Sequence, residues 1–250
     1  MEILQDFLLI NKKTIKKTIT SLLSNLPIIL TGIVYIAINL VIYRVVLTLF
    51  TGVLSIFAGI ILAIFSASMI SNYLYLLFNI INYNKITFQD FKDGFKYFLR
   101  KIYTIFFFAW IGSFLLDTVT RILGPNGVYL SIIVSISVLV ILNALPETLY
   151  LKTLEPMDSI MYAVDFMKEN WLNWLIPNVV LYIALFFLTG SIITDLFATH
   201  IFTAFSLDIV GIIKYLLGQG IFSFLMIYRG HLYKLLSTST RRKRMYMNKF

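Results

Sequence analysis

The chain has 250 residues, of which 59% are hydrophobic and only 13% are charged, and its formal net charge is +9. Because roughly a quarter of the residues in a soluble domain are charged, this composition excludes an ordinary soluble fold and indicates an all-α integral membrane protein. The absence of cysteine excludes disulfide bonds, thiolate nucleophiles and cysteine-ligated metals. A helix needs about 20 apolar residues to cross a bilayer, so we predict roughly six spans in a single membrane domain, 1–250.

The first predicted element is an amphipathic helix. Residues 12–25 place Ile15, Ile19, Leu22 and Leu23 on one face, against four lysines. Acidic residues precede the lysines and no small-residue cleavage pattern follows, so we expect no cleavable signal. Such a helix is expected to lie in the membrane interface, with its lysines near anionic lipid headgroups.

Three predicted hairpins follow along the chain. The first lies in a stretch interrupted by a single formal charge, Arg44, and turns near 44–52. The second turns through Gly124, Pro125 and Gly127, which are strong turn formers. The third has the longest connection, 194–208. The predicted hairpins cover about 26–81, 102–150 and 171–236.

Amphipathic stretches also precede the second and third hairpins, at 87–101 and 156–170. We therefore predict three units, 1–82, 83–152 and 153–236, each an interfacial helix followed by two spans, and then a basic tail, 237–250. The units form a candidate three-fold internal repeat, and a similar pattern without common ancestry is the alternative. Transporters often bind substrate where such repeats meet. The apolar stripes are Phe88, Phe91, Phe95, Phe98 and Leu99 in one stretch, and Met157, Ile160, Met161, Val164 and Met167 in the other.

The distribution of basic residues predicts the orientation. Of the 21 lysines and arginines, all except Arg44, Arg121 and Lys214 fall in the terminal segments or in the connections between hairpins. Since basic residues accumulate on the cytoplasmic side of short loops, we expect a multi-pass plasma-membrane protein with both termini in the cytoplasm. The basic tail is interpreted as a topological determinant rather than a site for anionic lipid, acidic protein or RNA, and no nucleic acid is expected as a partner.

The second span carries a stripe of small residues at every fourth position. Such stripes let helix backbones approach closely in lipid. Packing against another helix of the same chain is the favoured interpretation, with a homodimer seam, another membrane-protein partner or a sliding surface as alternatives. The stripe consists of Ser55, Gly59, Ala63, Ala67 and Ser71.

Polar side chains at membrane depth are costly and mark candidate functional sites. Asn143 and Glu147 lie one helical turn apart in the fourth span, beside Pro146, and Arg229 stands at a comparable depth in the sixth. We predict that Glu147 meets Arg229 between helices, near a small polar cavity that includes Asn143. An interfacial ion pair that only pins helix ends is the alternative. Further candidates for the cavity lining are Asn39, Asn72 and Gln219, whereas Trp171 and Trp174 are interpreted as interfacial anchors.

No catalytic motif is present in the sequence. His200 and His231 lack the spacing of a zinc site, and there is no nucleophile elbow, phosphate-binding loop or dinucleotide fingerprint. We therefore expect no catalytic, cofactor-binding or metal-ligating residues, and we do not expect an enzyme.

The repeated plan and the stretch NALPETLYLKTLEPMDSIMYAVDFMKENWLNW, residues 143–174, resemble two groups of bacterial membrane proteins. These are the inner-membrane proteins grouped with YciC and the membrane domain of glycerophosphoryl diester phosphodiesterases. The residues that fit their pattern are Glu155, Lys168, Asn170 and Trp171. The resemblance implies the same fold and says almost nothing about activity.

Three functions remain open from the sequence. A transport-associated protein that handles a lipid or another amphiphile predicts a cavity near Glu147. A non-catalytic accessory, scaffold or immunity protein predicts a closed core and a protein partner. The permease subunit of an ATP-driven exporter requires a separate nucleotide-binding subunit. We favour the first of these.

Overall fold

The computed structural model describes residues 2–190, 192–201 and 209–240, with side chains from residue 5 onward. The described part of the chain is all-helical and contains no β-strand. Most of the predicted basic tail, from residue 241, lies outside it. The helices are α1 (Glu2–Ser24), α2 (Pro27–Leu49), α3 (Ser55–Tyr83), α4 (Phe88–Tyr97), α5 (Leu99–Leu123), α6 (Gly127–Ile141), α7 (Leu145–Leu151), α8 (Pro156–Thr189) and α9 (Ile209–Thr238).

Five segments of the described chain are long and apolar enough to cross a membrane: Pro27–Leu49, Gly52–Tyr83, Leu99–Leu151, Pro156–Thr189 and Ile209–Thr238. This finding confirms the prediction of an all-helical chain with helices of membrane-spanning length. The third segment is 53 residues long and contains α5, a 3₁₀ turn at Gly124–Asn126, α6 and α7.

The chain reverses direction at this turn. A Cβ atom on Gly127 would lie 2.2 Å from the carbonyl oxygen of Thr120, whereas a straight helix would place these two residues about 10 Å apart. Gly124 enters the turn with φ of 59°, a left-handed conformation that glycine adopts without a steric cost. Helices α5 and α6 therefore lie against each other as a hairpin.

Close packing is concentrated at one end of the helices. Helix α3 buries most of its residues between 67 and 81, and α9 does so between 215 and 236. Ring contacts at this end join Tyr35 to Tyr73 and Tyr73 to Phe222, with centroids 6.1 and 6.0 Å apart. Much of the α5–α6 hairpin instead exposes large apolar side chains. Such surfaces are compatible with lipid, because lipid tails are as apolar as leucine.

Helix α4 begins where the predicted amphipathic stretch begins. The side chains of Thr87 and Asp90 form a reciprocal capping box, in which the Thr87 N–H donates to Asp90 Oδ2 at 2.7 Å and the Asp90 N–H donates to Thr87 Oγ1 at 3.2 Å. This arrangement satisfies two backbone donors that a helix N-terminus leaves without intrahelical partners. The helix ends at Tyr97 instead of continuing to residue 101.

Helix α4 packs against α3 instead of lying wholly against lipid. Side chains of α3 donate to backbone carbonyls of α4: Ser71 Oγ to Gly94 O at 2.7 Å and Asn72 Nδ2 to Phe91 O at 2.5 Å. Of the predicted aromatic stripe, Phe88 is 73% exposed whereas Phe98 is buried. Periodicity predicted the stripe, but the polar groups of α3 decided which surface covers it.

Helix α1 presents its polar face to the rest of the protein. Ile15 and Ile19, on the predicted apolar face, are exposed. Ser21 Oγ lies 2.9 Å from His231 Nε2, and Tyr228 donates a hydrogen bond to Asn11. Between these two contacts α1 advances by about 15 Å and α9 by about 4.5 Å, so α1 crosses α9 steeply with its apolar side outward. The buried face of α1 consists of Asp6, Ile10, Thr14, Thr18 and Ser21.

The three amphipathic stretches make related contacts. Helix α4 packs on α3, α8 packs on α7, and α1 packs on α9. Near the start of α8, the Tyr162 ring centroid lies 5.2 Å from Lys152 Nζ, just after α7. In each case the amphipathic stretch contacts the last helix of a predicted unit, and the contact of α1 with α9 joins the first unit to the third. The third stretch differs because it continues without a break into the predicted span, as the single helix α8, which contains Pro177.

Candidate functional site

The candidate site forms where the predicted fourth span breaks. Helix α6 ends at Ile141, and α7 begins at Leu145 with Pro146 in its first turn. Proline has no backbone N–H and suits the first turn of a helix while interrupting a longer one. Asn143 lies in the break and Glu147 in the first turn of α7. Asn143 therefore contacts α9 from the break, and Glu147 contacts it from the short helix that follows.

The Arg229 guanidinium of α9 lies against both of these residues. Its Nε donates to Glu147 Oε1 at 2.6 Å and its Nη2 donates to Glu147 Oε2 at 2.9 Å. Nη2 also donates to the Asn143 backbone oxygen at 2.6 Å. Nη1 donates to the Tyr182 hydroxyl at 2.7 Å and to Asn143 Oδ1 at 3.3 Å. A guanidinium has five N–H donors, and all five are used here.

Burial makes this network costly to disturb. Glu147 and Arg229 are each 2% exposed, and removal of one partner of a buried pair leaves an uncompensated charge. The Trp174 ring lies 5.2 Å from Arg229 Cζ, and its Nε1 donates to Asn143 Oδ1 at 2.9 Å. Trp174 is fully buried, so the interpretation of this residue as an interfacial anchor is wrong, whereas Trp171 is exposed as an anchor would be.

A cavity of about 240 Å³ lies beside the ion pair, between α6, α8, α9 and the connection that follows α8. A second hollow of about 290 Å³ shares Val179, Tyr182 and Ile193 with it and is lined mainly by apolar side chains. Glu147 is not among the lining residues, whereas Arg229, to which it is hydrogen-bonded, is one of them. The polar lining consists of Asn143, Asn178, Tyr182, Asp195 and Arg229, and the apolar lining of Leu139, Val140, Leu175, Val179, Ile193 and Leu196.

One wall of this cavity has no helical backbone. Residues 192–201 form neither helix nor strand, and Ala198 and Ile201 are nevertheless buried. The backbone N–H of Ile201 donates to Gln219 Oε1 at 3.2 Å, and Gln219 lies about 15 Å along α9 from the start of that helix. Irregular backbone at membrane depth is tolerated only where it is buried in protein or lines a water-filled cavity.

The other predicted lining residues lie elsewhere. Asn72 accepts a hydrogen bond from Tyr35 at 2.5 Å and binds α4, and Gln219 accepts one from Ile201. Neither these two nor Asn39 lines the cavity. Asn178, Tyr182 and Asp195 line the cavity but were not predicted from the sequence. Asn178 could have been recognised from the sequence, because it is a polar residue next to a proline inside a predicted span.

The small-residue stripe divides into two halves. Ala67 and Ser71 are fully buried, and Ser71 Oγ donates to Gly94 O and accepts from the Phe98 N–H at 2.8 Å. At Gly59 an added Cβ would meet no atom within 4 Å, and Ser55 is exposed. Ala63 is intermediate between the two halves. Packing within the chain thus accounts for the second half of the stripe.

Comparison of the chain with protein-family models, curated proteins and solved structures finds no match. The resemblance to YciC-like proteins and to phosphodiesterase membrane domains stays a prediction. Within 2–190, 192–201 and 209–240, no three His, Cys, Asp or Glu side chains are grouped so as to hold a metal ion.

Proposed function

We propose that this chain is a polytopic plasma-membrane protein that binds a lipid or another amphiphile beside Arg229 and takes part in its transport. The observation that supports this proposal is the cavity itself. It combines buried polar groups with apolar walls, and irregular backbone borders it. An amphiphile has the matching division into a polar end and an apolar body.

The size of the space is consistent with this function. Ligand pockets have volumes of roughly 300–1,000 Å³, and the cavity of about 240 Å³ adjoins a hollow of about 290 Å³ through shared lining residues. The polar groups lie in the first space, whereas Ile183 and Phe186 of α8 line the second. A ligand that occupies both spaces would place its head near Arg229 and its tail along α8.

The proposed topology has six spans in three units, with both termini in the cytoplasm. The reversal at Gly124–Asn126 supports two crossings within the segment Leu99–Leu151. The contacts of α4 with α3, α8 with α7 and α1 with α9 support a three-fold repeat. The distribution of lysine and arginine supports the orientation.

The proposal is tested by identifying what the protein retains in nanodiscs cut directly from native membranes. The variant Val179→Trp places a large side chain at the boundary of the two spaces. The matched control is Val180→Trp, because Val180 is the next residue of α8, is exposed and lines neither space. We expect the wild type and the control to retain the same amphiphile in stoichiometric amount, and Val179→Trp to retain much less.

Other outcomes of this experiment favour the other functions. A stoichiometric membrane protein in place of an amphiphile would indicate an accessory or scaffold role. A bound ATPase subunit would indicate the permease of an exporter. Equal retention by the two tryptophan variants would show that the cavity is not the binding site.

A further inference from the structure

The net charge of the cavity lining follows from the groups that surround it. The positive charge of Arg229 is balanced by Glu147, whose carboxylate accepts two hydrogen bonds from the guanidinium. Asp195 also lines the space and has no ion-pair partner among the residues that the structure describes. With Arg229 and Glu147 balanced, the Asp195 carboxylate gives the lining a net negative charge.

Asn178 adds an unused hydrogen-bond acceptor. Its Nδ2 donates to the Trp174 backbone oxygen at 2.8 Å, which directs Oδ1 away from that contact. The Asn178 side chain is 1% exposed, and its Oδ1 has no hydrogen-bond partner within the described part of the chain. A buried polar atom without a partner destabilises the folded state. A ligand that donates a hydrogen bond to Oδ1 would remove this destabilisation.

The donors around the cavity are largely committed. All five N–H groups of Arg229 already donate to Glu147, Asn143 and Tyr182. The Tyr182 hydroxyl accepts from Arg229 and keeps its own proton, and the Asn143 amide keeps one N–H. A phosphate or carboxylate head would therefore find two neutral donors and would be repelled by Asp195. An ammonium head would find two acceptors, the neutral Asn178 Oδ1 and the charged Asp195 carboxylate.

We infer that the cavity binds the protonated amine end of a cationic amphiphile, with ammonium N–H groups donating to Asn178 Oδ1 and to the Asp195 carboxylate. This inference rests on the proposed function. The apolar body then extends past Val179 and Ile193 into the second hollow. Tyr182 lines both spaces, and contact of a cation with the face of its ring would stabilise such a ligand further.

The test compares three probes with the same alkyl chain: dodecylamine, dodecanol and dodecyl phosphate. Binding to the full-length protein in a neutral detergent is measured by native mass spectrometry at neutral pH, where the amine is protonated. We expect dodecylammonium to bind saturably with one molecule per chain, about tenfold more tightly than dodecanol. Dodecyl phosphate is expected to bind more weakly than dodecanol.

Variants of cavity-lining residues test whether the preference for the amine arises in the cavity. Asp195→Asn should reduce the affinity for dodecylammonium to that for dodecanol, whereas Asp195→Glu should keep the preference. Asn178→Leu should weaken ammonium binding severalfold. The control is Asp165→Asn, which removes an exposed carboxylate of α8 that pairs with Lys168 and should change nothing. Unfolding temperatures of all variants show whether a loss of binding reflects a loss of folding.

The outcomes separate this inference from the proposed function. If dodecanol or dodecyl phosphate binds as well as the amine, and Val179→Trp blocks that binding, the charge preference is wrong and the amphiphile site stands. If Asp195→Asn folds and keeps the full preference, the inference is likewise overturned. If no probe binds saturably, both proposals fail.

Discussion

The Arg229 guanidinium and the Glu147 carboxylate form two hydrogen bonds, at 2.6 and 2.9 Å, although 82 residues separate them in the sequence. The contact ties α9 to α7 in the closely packed part of the molecule. It also holds the guanidinium where its remaining donors reach Asn143 and Tyr182. The pair is therefore a structural link, and its Arg229 side chain also lines the cavity.

We expect Glu147→Gln to destabilise the protein strongly, by about 3–5 kcal/mol, because Arg229 would remain buried with an uncompensated charge. The double variant Glu147→Leu with Arg229→Met should be less damaging than Glu147→Gln, because it leaves no unpaired charge. The measurement is the unfolding temperature of each purified variant. Samples are heated, and size-exclusion chromatography shows how much of the protein remains folded at each temperature.

The control for this prediction is a second ion pair in the described part of the chain, between Lys168 and Asp165, whose side chains are more than two-thirds exposed at 69% and 68%. Exposed pairs contribute about 0–1 kcal/mol, so Asp165→Asn should leave the unfolding temperature nearly unchanged. Similar losses for Asp165→Asn and Glu147→Gln would contradict the importance of burial. A charge swap, Glu147→Arg with Arg229→Glu, should not restore stability, because only an arginine at 229 reaches Asn143 and Tyr182.

The hairpin of α5 and α6 is tested at Gly127. An added methyl group would lie 2.2 Å from the Thr120 oxygen, so Gly127→Ala must push the two helices apart and should cost at least about 1–3 kcal/mol. Gly112→Ala, in α5, is the matched control, because its Cβ would meet nothing within 4 Å and alanine favours helix. Equal unfolding temperatures for the two variants would contradict the reversal of the chain at this turn.

The docking of α4 on α3 depends on Asn72. In Asn72→Leu, the Tyr35 hydroxyl and the Phe91 carbonyl both lose a buried partner, and each loss should cost about 1–3 kcal/mol. Tyr35→Phe removes only the first of these contacts and should cost less. Hydrogen–deuterium exchange of the α4 amides measures the effect directly. Unchanged protection in Asn72→Leu would show that α4 is held by other contacts.

The proposed topology is tested with single cysteines, each of which is unique because the chain has none. A membrane-impermeant thiol reagent added to intact cells should label Val53→Cys and Asn126→Cys, at the turns before α3 and α6. It should label Lys92→Cys, on α4, only after the cells are opened. Labelling of Asn126→Cys and Lys92→Cys from the same side would show that α5 does not cross the membrane.

The sequence alone predicted the helical architecture and the apolar segments, because the cost of exposing polar backbone to lipid restricts such segments to helix. It also singled out Asn143, Glu147 and Arg229, since polar residues are rare among so many apolar ones. The structure brings these three together. The count of six spans and the three-fold repeat remain predictions, and the small-residue stripe packs within the chain over only its second half.

Only the tertiary structure decided which surfaces meet. The pattern of α1 shows two faces, but the contacts with Tyr228 and His231 placed the polar face inward. Asn178, Tyr182 and Asp195 become neighbours of Arg229 because α8 and the connection after it fold back against α9. Periodicity reports the chemistry of one element at a time, whereas a cavity arises where several distant elements fail to fill the space between them. That is why the sequence located the ion pair and not the space beside it.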